Sequence, residues 1–444
     1  MKIALIGINS RYIHKNLAIY SLYSYVKEDS NQYSLMEFSI NEPFDKIFYS
    51  IYSNYFEVIA FNVYLWNKEL VLNLIDSLKK LNPEIKIVLG GPEINDTYQK
   101  NSNIDYLIIG EGEIPFKKLI NSNFINKERI LKTKDEYLDL NQLPFVYQDF
   151  LDELNNKIIY YEGSRGCPFQ CSYCLSGSDN KLRLKNPDKI YEEIKILVEA
   201  GVRQVKFIDR TFNANPEWAI NIVENLKKLG DYNCNFHIEA SIDKMNIKLL
   251  SMLENCQDKL FQLEVGIQTT NLKTLRAIGR YNDFEKIAEN CQRIIAKGNI
   301  HIHTDLIAGL PFEDYNSFKK SFNEVYSIKA HMLQVGFLKV IPNTRMYEDA
   351  EKLEIKYQSN PPYEVIATKW ISTLELLKIK YVETGVDTFY NNSVFRQTFN
   401  YFDKLRIDFF EFFQYIGRKI FFRKDFLSIS DKFDFLYQVT LEYF

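Results

Sequence analysis

A chain of 444 residues, 46% hydrophobic and 25% charged, has a globular composition that excludes disordered, collagenous and low-complexity classes. Its formal net charge of −3 excludes a global field that would draw it onto nucleic acid or an anionic membrane. With only 17 glycines and 12 prolines it also does not suit a turn-dense all-β fold.

The length suggests about three domains. The first alternates strand and helix. Lys2 to Ile8 reads as a buried strand, Leu17 to Val26 as a helix, and Tyr33 to Ile40 and Val58 to Tyr64 as strands. A helix from Lys68 to Leu81 stops near Pro83. Strands Ile85 to Leu89 and Tyr106 to Ile109 end in Gly90-Gly91-Pro92-Glu93 and Gly110-Glu111-Gly112-Glu113. Apolar strands alternating with helices predict a parallel sheet covered on both faces, a doubly wound Rossmann-like α/β domain over residues 1–125.

A polar connector over 126–156 leads to a second alternating region, 157–345. Its strands are expected near Ile158 to Glu162, Gln204 to Ile208, Asn235 to Ala240, Leu260 to Gly266, His301 to Ile307 and Met332 to Val340. Helices such as Pro187 to Ala200 and Pro216 to Lys228 fit between them. Six βα units predict a partial (β/α)6 barrel, open at one side. From 350 to 444 the alternation stops, and Tyr363 to Lys380 and Phe402 to Phe422 read as aromatic-rich helices. Residues 401–444 carry seven positive and seven negative side chains, Arg406, Lys424 and Asp425 among them, so this is not a basic nucleic-acid appendage. Met1 to Ser10 lacks the flanks of a signal peptide, and no run of about 18 apolar residues occurs. A cytoplasmic protein is expected, with neither a membrane nor nucleic acid as partner.

Three of six cysteines lie within eight residues, in Gly166-Cys167-Pro168-Phe169-Gln170-Cys171-Ser172-Tyr173-Cys174. This C-x3-C-x2-C run follows the first strand of the second region, at the edge where parallel α/β sheets place their chemistry. Three thiolates on one tight loop can hold three irons of a 4Fe–4S cluster, which takes four ligands. With no fourth cysteine in local reach, one iron keeps an open position, the mark of a reactive site. Zinc motifs usually pair two C-x2-C elements or add histidines, and neither pattern occurs.

The motif resembles the signature of the radical S-adenosylmethionine (SAM) superfamily, C-x3-C-x-aromatic-C on the first loop of a partial barrel, with Tyr173 at the aromatic position. The resemblance implies that SAM chelates the open iron. One electron, from a reducing partner such as flavodoxin or ferredoxin, then cleaves it to methionine and a 5′-deoxyadenosyl radical that abstracts a substrate hydrogen. Leu263-Glu264-Val265-Gly266-Ile267-Gln268 looks like a strand-end segment of the superfamily. Asp305-Leu306-Ile307-Ala308-Gly309-Leu310-Pro311 is similar to the fifth-strand segment, which puts Gly309 near the adenine. Glu239 and Gln268, at strand ends, are expected at the ribose end of SAM, and Asp209 and Arg210 at the same mouth. A plainer reading makes the first two loop-mouth polar groups and the last two a structural ion pair.

A doubly wound domain before such a barrel resembles the cobalamin-binding radical SAM class. Gly90, Gly91, Gly110, Glu111 and Gly112 look like its strand-end loops, where glycine permits close backbone approach to a ligand. Phe61 to Asn67 also resembles the class. Many members carry D-x-H-x-x-G after the first strand, with the histidine on cobalt. Here His14 occupies that loop, but Tyr12 and Leu17 stand where the pattern has Asp and Gly. The last region resembles a poorly characterised C-terminal extension of one branch of the class. The resemblance implies a cobalamin-dependent enzyme methylating an unactivated carbon or phosphorus of an unknown substrate. The alternatives are another radical outcome, such as rearrangement, oxidation or ring contraction, or a non-enzymatic corrinoid or iron–sulfur sensor. A tRNA methylthiolase would need cysteines for a second cluster before residue 167, where there are none.

Overall fold

The computed structural model describes residues 1–133, 137–178, 181–405, 407–423 and 427–444; Arg406, Lys424 and Asp425 of the C-terminal charge count lie outside these. The chain divides into two compact units. One comprises Met1–Arg165, Leu182–Asp209 and Lys228–Phe236. The other comprises Gly166–Lys181, Arg210–Lys227 and His237–Phe444.

In the first unit the buried runs become strands β1 (Lys2–Asn9), β2 (Gln32–Ser39), β3 (Val58–Asn62), β4 (Lys86–Gly90), β5 (Tyr106–Ile109) and β6 (Ile130–Lys132). Helices α1 (Leu17–Val26), α2 (Phe44–Tyr52), α3 (Lys68–Leu81) and α4 (Glu113–Asn121) connect them. All pairings are parallel, in the order β2-β1-β3-β4-β5-β6. The order reverses at β1, so the crevice between the loops after β1 and β3 is the topological switch point where such sheets bind ligands. The core is aliphatic: Ile6, Ile8, Ile59, Val71, Leu74, Ile87 and Leu89 are all buried. The sheet runs on past residue 125 into β6, a three-residue strand too short to show in a polar connector.

The second sheet starts with β7 (Ile158–Tyr161). A short antiparallel pair, β8 (Ser164–Arg165) and β9 (Arg183–Leu184), brackets the cysteine loop. Strands β10 (Gln204–Phe207), β11 (Asn235–Glu239), β12 (Phe261–Gln268), β13 (His301–Ala308) and β14 (Met332–Phe337) complete the order β7-β10-β11-β12-β13-β14. Its two ends are unpaired with each other, which is the open, partial barrel. Helices α5 (Pro187–Glu199), α6 (Pro216–Lys227), α7 (Ile247–Glu254), α8 (Leu272–Ala277), α9 (Phe284–Lys297) and α10 (Tyr315–Tyr326) intervene between its strands. Good caps start them: Asn186 accepts from Asp188 N–H ahead of Pro187, and Asp283 accepts from Lys286 N–H. Among the described residues no helix is long and apolar enough to cross a membrane.

After α11 (Arg345–Asp349) a small hairpin, β15 (Lys356–Tyr357) and β16 (Val365–Ala367), precedes helices α12 (Thr373–Gly385), α13 (Arg396–Phe402), α14 (Phe409–Phe421) and α15 (Ile429–Tyr443). The expected helix over Tyr363 to Lys380 therefore exists only in its second half. Its true start is marked by a capping box, Ser372 with Glu375. This region covers the edge strand of the barrel. Leu333 N–H donates to Asn391 Oδ1 at 2.9 Å, and Asn391 Nδ2 donates back to Leu333 O at 3.0 Å, satisfying edge groups of β14. Phe410 of α14 packs edge-on against Phe322 of α10, 5.4 Å between centroids.

Candidate active site

The cysteine loop of the second unit is pinned from several sides. Ser172 N–H donates to Ile278 O at 2.9 Å, and Met346 N–H donates to Ser172 O at 2.8 Å. Gly279, at φ +70°, comes so close that a Cβ there would stand 2.9 Å from Gln170 O. Cys167 and Cys171 are buried and Cys174 is half-buried. Cys167 Sγ lies 3.8 Å from Thr211 Oγ1. Burial pushes the Cys167 thiol above its ordinary range, and the neighbouring cysteines add to this. A buried thiol such as Cys167 resists ionisation, and a nearby cation offsets that cost.

Arg280 supplies one such charge. Its Nη1 lies 3.8 Å from Cys171 Sγ and 3.3 Å from Tyr173 Oη, its Nη2 donates to Gly266 O, and its Nε donates to Asn282 Oδ1 at 3.1 Å. Burial raises the Tyr173 hydroxyl, so it stays protonated beside the cysteines. Sequence reasoning did not single out Arg280, which sits 109 residues from Cys171; its one signal is its place after Gly279 at the end of α8.

These residues line a cavity of about 240 Å³ whose walls also carry Arg210, Glu239, Lys244, Glu264, Gln268 and Asp305. Of the expected site residues, the three cysteines, Tyr173, Arg210, Glu239 and Gln268 meet here. Gln268 Oε1 is a buried acceptor without a hydrogen-bond partner among the described residues. Gly309, at φ +86°, lies against Val365, which a Cβ would approach to 2.7 Å. Its lack of a side chain therefore seats the hairpin strand β16.

The remaining expected residues belong to the first unit. Asp209 is fully buried, and its Oδ2 accepts from Gly163 N–H at 3.0 Å. Burial raises its carboxyl to about 7 against the opposing bonds from Ser164 and Gly163. Asp209 therefore shapes the backbone that leads into the cysteine loop, while Arg210 beside it lines the cavity. Glu111 is held by Arg165 Nη1 at 2.8 Å and by Arg183, and Glu113 is held by Arg165 Nη2 at 2.9 Å and by Ser21 Oγ at 2.7 Å. Burial would raise the Glu113 carboxyl, but Arg165 and Ser21 overcome this and hold it at about 2. Gly91, at φ +113°, leaves room for Val63, whose O would stand 2.6 Å from a Cβ. Gly110 and Gly112 likewise accommodate Thr133 and Leu22, whereas Gly90 has ordinary clearance. Gly91, Gly110 and Gly112 thus allow close packing of the loops around them.

At the switch point, Asn16 Nδ2 donates to Asn9 Oδ1 at 2.9 Å, Asn62 Nδ2 to Asn16 Oδ1 at 2.6 Å, and Asn67 Nδ2 to Ile8 O at 3.0 Å. This asparagine chain fixes the loops after β1 and β3. Tyr12, Ile13, Ile40, Phe44 and Trp66, all following the carboxyl ends of β1 to β3, are exposed. Trp66 stacks on Tyr64 at 4.4 Å. His14 Nδ1 is 2.9 Å from Tyr160 Oη, and its ring lies against the tyrosine. Burial, Arg11 and Lys206 lower its pKa, so the imidazole is neutral at pH 7.

Residues 161–325 match the Radical SAM superfamily, residues 3–120 the B12 binding domain, and residues 351–444 a family of unknown function, DUF4080. The chain therefore carries a radical SAM domain after a B12 binding domain. It is similar to the cobalamin-dependent radical SAM methyltransferase TokK of Streptomyces tokunonensis, 25% identical over 67% of this chain and 49% of that protein. It is also similar to hopanoid C-2 methylase of Rhodopseudomonas palustris (strain TIE-1), 26% identical over 61% of this chain and 53% of that protein. The chain spans about half the length of these relatives. Its fold resembles the radical SAM methyltransferase TsrM of Kitasatospora setae, solved with cobalamin and a [4Fe-4S] cluster, at TM-score 0.66 and 13% identity over 82% of this chain and 78% of that one. It also resembles the cobalamin-dependent SAM radical enzyme OxsB, solved with aqua-cobalamin and SAM, at TM-score 0.68 and 15% identity over 100% of this chain and 75% of that one.

The cavity of this radical SAM domain fits the chemistry of SAM. SAM carries a carboxylate, an ammonium, a sulfonium and ribose hydroxyls, and the walls offer cations (Arg210, Lys244, Arg280) together with the Glu239 carboxylate. The orphaned Gln268 Oε1 is an acceptor awaiting a ligand donor. In the first unit, exposed aromatic and aliphatic side chains at a switch-point crevice suit a large amphipathic macrocycle.

Proposed function

We propose that the chain is a cobalamin-dependent radical SAM methyltransferase acting on an unactivated carbon or phosphorus of a polar substrate. The observation that carries this is the three-thiol loop set into a cavity of mixed charge, with a B12-binding sheet earlier in the same chain. Cys167, Cys171 and Cys174 would ligate the cluster, and Arg210, Glu239 and Gln268 would orient SAM. When bound, the cluster supplies the electron that splits SAM, and the corrinoid a methyl carrier. The residues do the rest. Arg280 balances thiolate charge, Tyr173 stays neutral and half-buried, and the hairpin and C-terminal helices cover the barrel edge, keeping water from a reactive centre. The relatives named for methyl transfer support this outcome over rearrangement or oxidation. An external donor such as flavodoxin or ferredoxin would supply the electron.

The test is anaerobic reconstitution with iron, sulfide and cobalamin, followed by SAM and a strong reductant. The parent chain should form 5′-deoxyadenosine, and a substrate should gain one methyl. Cys171→Ala should carry no complete cluster and form none. A fully loaded parent that leaves SAM intact, or an intact redox-active cluster in Cys171→Ala, overturns the proposal.

A further inference from the structure

Closed (β/α)8 barrels fill their interiors with branched apolar side chains, whereas this open six-stranded sheet keeps a cavity. Here the inward positions of β11, β12 and β13 carry His237, Glu264, His303 and Asp305. Glu264 and His303 are register partners on adjacent parallel strands, and Asp305 lies one inward position further along. Donor atoms of Glu264, His303 and Asp305 all lie within 4.8 Å of one another, a spacing among the described residues that fits one ion. His303 is buried, while Glu264 and Asp305 reach the cavity wall.

We propose that Glu264, His303 and Asp305 form a second, mononuclear metal site for a divalent cation of the manganese or iron type. Two carboxylates and one imidazole are a hard, oxygen-rich donor set that suits such ions and not the soft partners of thiolates. The surroundings are those of a metal site. His237 Nε2 is 2.9 Å from Glu264 Oε2, the outer contact that aims a ligating carboxylate. His303 Nε2 is 3.0 Å from Asp305 Oδ1, so the two share one small space. Asp387, from the segment after α12, is near enough to His303 to interact with it electrostatically. Together Glu264, Asp305 and Asp387 gather negative charge around two histidines in a half-buried barrel, which a divalent ion would neutralise. Three protein ligands leave coordination positions open toward the cavity. The site would therefore grip an oxygen of the substrate, a carboxylate, phosphate or hydroxyl, and orient it under the cysteine loop. The inference does not depend on methyl transfer or on cobalamin.

Mn2+ is the probe, because its electron paramagnetic resonance signal is distinct and it disfavours thiolates. The full chain, loaded with oxidised cluster and cobalamin, is titrated anaerobically. It should take up one Mn2+ per chain. Glu264→Gln and Asp305→Asn should each weaken binding by about tenfold or more, and His237→Gln by about tenfold through its outer contact. Cys171→Ser, which loses the cluster, should bind Mn2+ as the parent does, which separates this site from the radical SAM reading. Thermal melts check that each variant is folded; if a carboxylate variant is not, the parent stoichiometry and His237→Gln decide. Absence of saturable one-to-one binding overturns the proposal, and so does binding that these substitutions leave unchanged, including a result in which the side chains prove to be hydrogen-bonded pairs that contact substrate directly.

Discussion

Single side chains show how burial and one partner set chemistry. Asp209 and Arg210 are neighbours in sequence, yet one is sealed beneath a loop and the other faces the cavity. The Asp209 carboxyl moves from 3.8 to about 7 because burial outweighs its hydrogen bonds. A carboxyl raised on folding stabilises the native state fully below its unfolded value. That contribution is lost as pH climbs through the native value, with an upper limit of about 4 kcal/mol. Asp209→Asn removes the cost of ionising, so its melting temperature relative to the parent should be higher at pH 8 than at pH 5. An offset equal at both pH values would show that Asp209 does not titrate in this window. His14 presents a second case. Its Nδ1 is engaged by Tyr160 and its ring is stacked there. We expect His14→Ala to leave the visible spectrum of bound cobalamin unchanged; a shifted spectrum would make His14 the axial ligand. The cysteine motif was legible because its three donors are local in sequence. Arg280, Glu264 and Asp305 come from distant strand ends, so no short pattern announces that they converge.

Elements are decided by contacts that propensity alone misjudges. Helices α12 and α14 pack through glycine: a Cβ at Gly417 would stand 1.7 Å from Tyr381 O, and one at Gly385 2.6 Å from Phe413 O. Glycine to alanine in an exposed helix gains about 1 kcal/mol. Here overpacking against a backbone carbonyl reverses the sign. Gly417→Ala should destabilise the chain by about 3 kcal/mol, read from urea unfolding. A neutral or stabilising result would mean that the two helices separate without cost. The same physics explains the strand-end loops of the first sheet. Their glycines resembled ligand-contact positions, and the structure uses Gly91 to fit the Val63 turn. Helix α12 starts where Ser372 and Glu375 cap it, a signal present in the sequence but overshadowed by the aromatic run before it.

At the scale of the molecule, a B12-binding sheet, a partial barrel and a DUF4080 region make one radical SAM chain. The C-terminal region completes the barrel unit by satisfying β14, whose exposed edge would otherwise invite pairing with another chain. The sequence by itself determined the alternation of strands and helices, because buried parallel strands must be apolar throughout. It also determined the three-thiol loop, because its spacing is local. Tertiary structure alone decided which polar residues share the cavity and that a half-buried arginine stands beside Cys171. It alone also decided that histidines and carboxylates of neighbouring barrel strands come together. Such groupings depend on strand register and on the direction each side chain takes from its strand, and both are fixed only when distant segments pack.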